Sequence, residues 1–101
     1  MSTDRLATMR AMAAKQPNNA LARFGLANEL QKAGLLDEAA TEFSAYLAMH
    51  DDEGNAWLRY ADILHALGRH DEVRDAVTRG IDAAHRYGHS GLVAEFEERG
   101  Y

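Results

Sequence analysis

The sequence contains no cysteine and a single proline, Pro17, in 101 residues. Without cysteine the chain cannot form a disulfide, a thiolate metal site or a thiol nucleophile, so its stability must come from packing. With one proline, nearly every backbone amide can donate within a helix. The residues that are abundant, Ala, Leu, Glu and Arg, favour helix as well. These absences therefore indicate a helical protein compatible with a reducing compartment.

Long apolar runs and an excess of positive charge are also lacking. The apolar runs fall far short of the roughly 20 residues that span a bilayer, and residues 1–17 lack the apolar centre of a signal peptide. The net charge of −5 opposes nucleic-acid binding. We therefore expect no membrane, no nucleic acid and cytoplasmic residence. The alternative is organelle targeting by an amphipathic helix that carries Arg5, Arg10 and Lys15.

What the chain does contain is an internal repeat. With 47% apolar and 27% charged residues it has the composition of one globular domain. A shift of 34 residues aligns the sequence with itself, apolar residues on apolar residues and turn residues on turn residues. The aligned pairs include Gly34 with Gly68, Asp37 with Asp71, Glu38 with Glu72, Leu30 with Leu64, Ala27 with Ala61 and Phe43 with Val77.

Each period predicts two helices, because its apolar residues recur at spacings of three and four and a glycine interrupts them. The first helix covers residues 20–33, with Asn18 or Asn19 as its cap and Gly34 at its end. The second begins near Asp37, whose carboxylate suits a helix start. A connection of about three residues makes the two helices antiparallel.

The second period repeats this plan, with Asp51 or Asp52 as the cap, Trp57 in the core and Gly68 between the helices. A helix over residues 4–15 precedes the repeats, and a helix over residues 90–99, capped by Ser90, follows them. The predicted fold is all-α, with about six helices in one domain. Its segments are residues 1–17 (a half-repeat helix), 18–51 (repeat 1), 52–85 (repeat 2) and 88–101 (a capping helix).

These residues resemble the tetratricopeptide repeat family, whose 34-residue unit is a helix-turn-helix with a Trp, Leu-Gly, Tyr, Ala, Phe, Pro pattern. Trp57, Ala39 and Phe43 stand at family positions, and Pro17 resembles the proline at the junction between repeats. The chain departs from the pattern where a small residue is expected late in the second helix: Tyr46 in one period, Gly80 in the other. The resemblance covers nearly the whole chain and implies an α-solenoid of stacked helical hairpins.

The resemblance also implies a binding surface, since the first helices of such hairpins line a concave face where peptides dock. The residues placed there are Leu21, Phe24, Asn28, Gln31 and Lys32 from repeat 1, and Asn55, Leu58, Arg59, Asp62 and His65 from repeat 2. The alternative is that Leu21, Phe24 and Leu58 are packing residues and the others solvated surface. The carboxylate-gripping lysines and asparagines of one subset of the family are not present, because Phe24, Leu58 and Asp62 occupy such positions.

No catalytic, cofactor or metal site is predicted. His85 and His89 have the four-residue spacing of helical metal ligands, but Gly88 between them predicts a helix end. Ser44 lies within a helix and has no nucleophile elbow, and the acidic pairs at helix starts are explained by capping. The sequence therefore predicts a protein without enzymatic activity or cofactors.

The function that follows is a protein-interaction module or adaptor, which binds a peptide or protein segment on its concave face. The alternative is a structural assembly unit that forms a homodimer or docks onto a larger complex through its terminal helices. That docking would use Leu92, Val93, Phe96 and Tyr101. The sequence does not name the partner.

Overall fold

A computed structural model of the chain describes residues 2–101, with side chains from Arg5 onward; Met1 of the predicted 1–17 segment lies outside the described residues. Residues 2–101 form six α-helices and no strand, which confirms the predicted all-helical class and helix number. They divide into a first unit that ends at His50 and a second that begins at Asp51. The helices are α1 (Ser2–Lys15), α2 (Ala20–Lys32), α3 (Leu36–Met49), α4 (Asn55–Ala66), α5 (His70–Arg86) and α6 (Ser90–Arg99).

The first helix of each hairpin ends at the glycine that the repeat predicted. Gly34 and Gly68 have φ angles of 78° and 73°, a left-handed conformation that glycine adopts without steric cost. After α2, the Gly34 amide donates to the Gln31 carbonyl at 3.1 Å and the Leu35 amide donates to the Leu30 carbonyl at 3.0 Å. This pair of bonds is a Schellman motif, which satisfies the last carbonyls of the helix.

Side chains cap the starts of α2 and α4. Of the two asparagines considered, Asn19 is the cap: its Oδ1 accepts from the Ala22 amide at 3.2 Å. Of the two aspartates, Asp52 is the cap, although Gly54 holds the position directly before α4. Its buried Oδ2 accepts from the Gly54 amide at 2.9 Å and from the Ala56 amide at 2.8 Å. Such caps stabilise a helix by about 1 kcal/mol.

Two other predicted caps are wrong. Helix α3 begins at Leu36, so Asp37 lies inside the first turn, and Leu35 before it makes no side-chain cap. Helix α6 begins at Ser90 itself, and His89 takes the cap position without a side-chain bond. The Schellman turn leads directly into α3, where the Ala39 amide donates to the Leu35 carbonyl at 2.9 Å. An acidic residue in the first turn still favours the helix by opposing its dipole.

The first unit packs α1 and α3 against α2. Its buried residues include alanines, which allow close helix approach, and Phe43, which has no exposed surface. The Phe24 ring lies 6.2 Å from the ring of Phe43 and 4.9 Å from that of Tyr46. Arg10 ties α1 to α3, because its Nε and Nη2 donate to the two Glu38 carboxylate oxygens at 2.7 and 2.8 Å.

The second unit packs α4 and α6 against α5. Phe96 of α6 is 2% exposed and lies over Gly80 of α5. A Cβ atom at Gly80 would lie 2.9 Å from Phe96 Cε1 and 2.8 Å from Trp57 Cβ, too close for a real contact. Trp57, predicted to lie in the core, is half-buried, and the Arg79 guanidinium lies over its ring, 5.8 Å from the ring centre. Gly80 therefore provides the space for the aromatic anchor of α6.

Within residues 2–101, each helix is either too short or too polar to cross a bilayer.

Candidate functional site

The five predicted contact residues of α2 differ in what they present to solvent. Leu21 is 79% exposed, more than the other exposed large apolar side chains in the part of the chain that the structure describes. Lys32 is exposed too, with its Nζ 3.7 Å from Glu29 Oε1. Phe24, Asn28 and Gln31 are half-buried. Because the Phe24 ring packs on two aromatic rings of α3, the packing interpretation applies to that residue.

Leu21 borders a groove between α1 and α2, which we call the methionine groove. Its volume is about 240 Å³, and its lining residues are Met9, Met12, Asn19, Leu21, Ala22 and Gly25. Met12 is 50% exposed and Met9 half-buried, so both thioether side chains can be reached from solvent. A Cβ atom at Gly25 would lie 3.3 Å from Met9 Cε, so the absence of a side chain there leaves room for the methionine.

The chemistry of the methionine groove is almost entirely apolar. Its one polar lining side chain, Asn19, is engaged: it caps α2, and its Nδ2 donates to Gln16 Oε1 at 2.7 Å. The groove can therefore accept an apolar side chain, and it presents no nucleophile, acid or base to one. Methionine suits such a site because its flexible, polarizable side chain adapts to different apolar shapes.

A second opening in the first unit has charged groups among its lining residues. It has a volume of about 190 Å³ and is lined by the paired groups of Arg10 with Glu38 and Arg23 with Glu42. The hydrogen bond from Arg10 lowers the pKa of the Glu38 carboxyl and raises the pKa of the Arg10 guanidinium. Arg23 Nη1 donates to Glu42 Oε1 at 2.7 Å. These charges satisfy one another, so this opening is a weaker candidate than the methionine groove.

The predicted contact residues of α4 range from buried to exposed. Leu58 is 5% exposed, so its prediction as a contact residue is wrong: its side chain belongs to the core. Asn55 is half-buried and Arg59 is exposed. Asp62 is half-buried and His65 is exposed, and the two share one face of the helix because they lie one turn apart. We call the surface of Asp62 and His65 the Asp62–His65 face.

Residues 99–101 of the chain itself cover the Asp62–His65 face. Arg99 Nε donates to Asp62 Oδ1 at 3.0 Å and Arg99 Nη2 donates to Asp62 Oδ2 at 3.2 Å, a two-point contact. The Tyr101 hydroxyl donates to Asp62 Oδ1 at 2.8 Å. The Tyr101 ring stacks on the His65 ring, with centroids 4.2 Å apart and planes inclined by 22°.

These contacts also change the proton affinities of the two covering side chains. Burial, followed by the hydrogen bond to Asp62, raises the pKa of the Tyr101 phenol. The hydrogen bond to Asp62 raises the pKa of the Arg99 guanidinium. Both shifts hold the groups in the protonated forms that donate to the carboxylate.

The residues proposed for docking through α6 are largely occupied within the second unit. Phe96 is buried, and Tyr101 lies on the Asp62–His65 face. Leu92 and Val93 are half-buried, and Leu92 Cδ2 lies against Gly54. The prediction of Phe96 as a docking residue is therefore wrong, because its ring already fills the space above Gly80.

The two histidines with metal-ligand spacing lie on different elements. His85 belongs to α5, Gly88 follows with a φ of 72°, and His89 precedes α6. Among the residues that the structure describes, no three His, Asp or Glu side chains are grouped so that they could hold a metal ion.

Sequence reasoning missed four residues of these two surfaces. Met9, Met12 and Arg99 were assigned to no binding surface, and Tyr101 was named only for docking through the terminal helices. The exposure of the methionines follows from how α1 is placed against α2, which the repeat does not encode. The signal that could have located Arg99 is charge complementarity to Asp62, a weak signal among six arginines in residues 51–101.

No family model matches the chain, and no curated protein matches it. The resemblance to tetratricopeptide repeats consequently depends on the repeat period and the residues quoted for it.

Proposed function

We propose that the chain is a protein-binding module of the tetratricopeptide kind, without catalytic activity, which takes up apolar side chains of a partner segment in the methionine groove. The observation that carries this proposal is the pairing of an accessible apolar groove with Leu21, which is 79% exposed at its edge. Exposed apolar surface next to a concave site is typical of protein-binding surfaces.

The energetics favour a transient complex. Burying an exposed leucine or methionine side chain stabilises a complex by about 1.5–3 kcal/mol. Two such anchors, Met12 and Leu21, contribute about 3–6 kcal/mol, which is comparable only to the lower end of the roughly 4–15 kcal/mol that association costs in lost freedom. Further contacts from the half-buried polar residues of α2 would complete the site. We therefore expect specificity for a segment with at least one large apolar side chain and modest affinity.

A photo-reactive amino acid placed at Leu21 tests the proposal in the native cell. Leu35 provides the matched control, because it is also a leucine of the first unit, 42% exposed, and lies outside the groove. We expect proteins that cross-link from position 21 and not from position 35. Such a protein would then be purified and its affinity measured by calorimetry against the wild-type chain.

In that second stage, Leu21→Lys and Met12→Lys should each weaken binding by about tenfold or more, the effect of losing an apolar anchor. Leu35→Lys should leave the affinity unchanged. Equal binding by Leu21→Lys and the wild type would show that the groove is not the site. Light scattering of the purified chain separates the alternative of self-association, since a homodimer through this groove would dissociate on Leu21→Lys substitution.

A further inference from the structure

The contacts of residues 99–101 suggest more than a helix end. Helix α6 ends at Arg99, and Gly100 is left-handed, so the chain reverses there and Tyr101 returns to α4. The side chains of Arg99 and Asp62 remain 32% and 30% exposed. The anchor of α6 is the buried Phe96, so residues 99–101 can leave α4 while α6 stays in place.

We infer that the Asp62–His65 face is a second binding surface, which recognises a protein segment carrying an arginine and, two residues later, an aromatic side chain, and that Arg99 and Tyr101 occupy it as an internal competitor. This inference goes beyond the methionine groove, since it concerns the second unit and none of the groove residues. It can therefore hold or fail independently of the proposed function.

The geometry specifies arginine at the first position. Both Asp62 oxygens accept from one guanidinium, through Nε and Nη2, and this two-point arrangement is available to arginine and not to the single ammonium of lysine. The second position requires a flat ring, because His65 is met by parallel stacking at 4.2 Å. A hydroxyl on that ring adds a hydrogen bond to Asp62 and favours tyrosine.

The charge of the second unit favours the same partner. Residues 51–101 contain eleven Asp and Glu against six Arg, whereas residues 1–50 contain five of each sign, so the whole net charge of −5 belongs to the second unit. An acidic surface attracts basic segments and raises their association rate. An arginine-containing segment is thus steered toward the half of the chain that carries the Asp62–His65 face.

Internal occupation has a quantitative consequence. The apparent affinity for an external segment equals its intrinsic affinity multiplied by the fraction of molecules in which residues 99–101 have left α4. Removing the internal competitor should therefore tighten binding of the external segment by about tenfold, if roughly one molecule in ten is open in the wild type.

The test is a nuclear magnetic resonance titration of the isotope-labelled full chain with a synthetic peptide of sequence Ser-Arg-Gly-Tyr-Ser, blocked at both ends. In the double variant Arg99→Ala/Tyr101→Ala, the amide signals of Asp62 and His65 should shift and saturate. The wild type should need about tenfold more peptide. Adding Asp62→Asn to the double variant should abolish the shifts, and a control peptide with lysine in place of arginine should bind at least several-fold more weakly.

Three results would overturn the inference: no saturable shift in the double variant, equal peptide affinity in the wild type and the double variant, or binding that survives Asp62→Asn. Circular dichroism would show whether the double variant keeps its helices. If it does not, Arg99→Lys/Tyr101→Leu is a milder replacement with a smaller expected gain, because a lysine still pairs with the Asp62 carboxylate, and the same three results count against the inference. Because Met12 and Leu21 take no part, their lysine variants should bind the peptide like their parent.

Discussion

Helices α2 and α4 occupy equivalent positions in the repeat, yet the surface of α2 is open to solvent and part of the surface of α4 is covered by the chain itself. Leu21 near the start of α2 is 79% exposed beside an open groove, while Asp62 and His65 toward the end of α4 lie under Arg99 and Tyr101. The 34-residue shift aligns Leu21 with Asn55, and Asp62 with Asn28. The difference comes from the flanking segments, α1 in the first unit and residues 99–101 in the second. Equivalent helices therefore acquire different binding surfaces from what packs beside them.

A second comparison concerns the aligned positions Tyr46 and Gly80, where the sequence departs from the family pattern in opposite directions. Tyr46 is 7% exposed, and its ring lies 4.9 Å from the ring of Phe24 and 5.1 Å from that of His50. Gly80 leaves an empty place that Phe96 of α6 fills. Each unit thus has an aromatic ring at this position of its second helix. In the first unit the ring belongs to Tyr46 of α3 itself, and in the second unit it belongs to Phe96 of the neighbouring helix α6.

The largest effect should come from Phe43, the fully buried aromatic residue of the first unit. Phe43→Ala should reduce the free energy of unfolding by about 3–5 kcal/mol, because it removes a large side chain and leaves a cavity. Its aligned partner Val77 is half-buried, so Val77→Ala should cost only about 1 kcal/mol. Urea unfolding of the two variants measures both values. Equal losses would contradict the difference in packing between the aligned positions.

A smaller effect is expected at Gly80. Gly80→Ala should destabilise the chain by about 1–3 kcal/mol, because the new methyl group collides with Phe96 and Trp57. The matched control is Gly91→Ala in α6, where a Cβ atom would meet nothing within 4 Å. This control should be stabilising by about 0.5–1 kcal/mol through helix propensity.

The collision at Gly80 can also be separated from other causes by a double substitution. In the background of Phe96→Ala, the methyl group of Gly80→Ala no longer meets the Phe96 ring, while the close approach to Trp57 Cβ at 2.8 Å remains. Its cost should therefore fall below its value in the wild type without vanishing. Costs that simply add would show that Phe96 does not occupy the space above Gly80.

The helices could be predicted from the sequence, because they depend on local information. Apolar spacing located all six, and Gly34 and Gly68 end helices where the repeat placed them. The caps of α3 and α6 were mispredicted because a glycine turn can lead directly into the next helix without a capping side chain.

The candidate site was less predictable, since exposure depends on contacts between helices. Leu21, Phe24 and Leu58 were all nominated from the same periodicity, and the structure leaves one exposed, one half-buried and one buried. Periodicity gives the face of a helix but not which neighbour covers it. The covering of Asp62 depended on a segment 37 residues away in sequence, which no local pattern reports.

The smallest effect concerns the proton of Tyr101. Burial and the Asp62 hydrogen bond raise the pKa of its phenol, so the folded pKa lies above the unfolded value. Because the folded pKa is the higher one, the contacts of the Tyr101 phenol contribute their full stabilisation of the folded state below the unfolded pKa. That contribution is lost as the pH rises through the folded pKa. Asp62→Asn should lower the pKa of Tyr101 toward its ordinary value, as followed by resonance titration of labelled tyrosines. Tyr87, whose pKa is raised by its hydrogen bond to Asp51, should not change and is an internal control. If Tyr101 titrates at the same pH in both proteins, the hydrogen bond to Asp62 does not hold the Tyr101 phenol in solution.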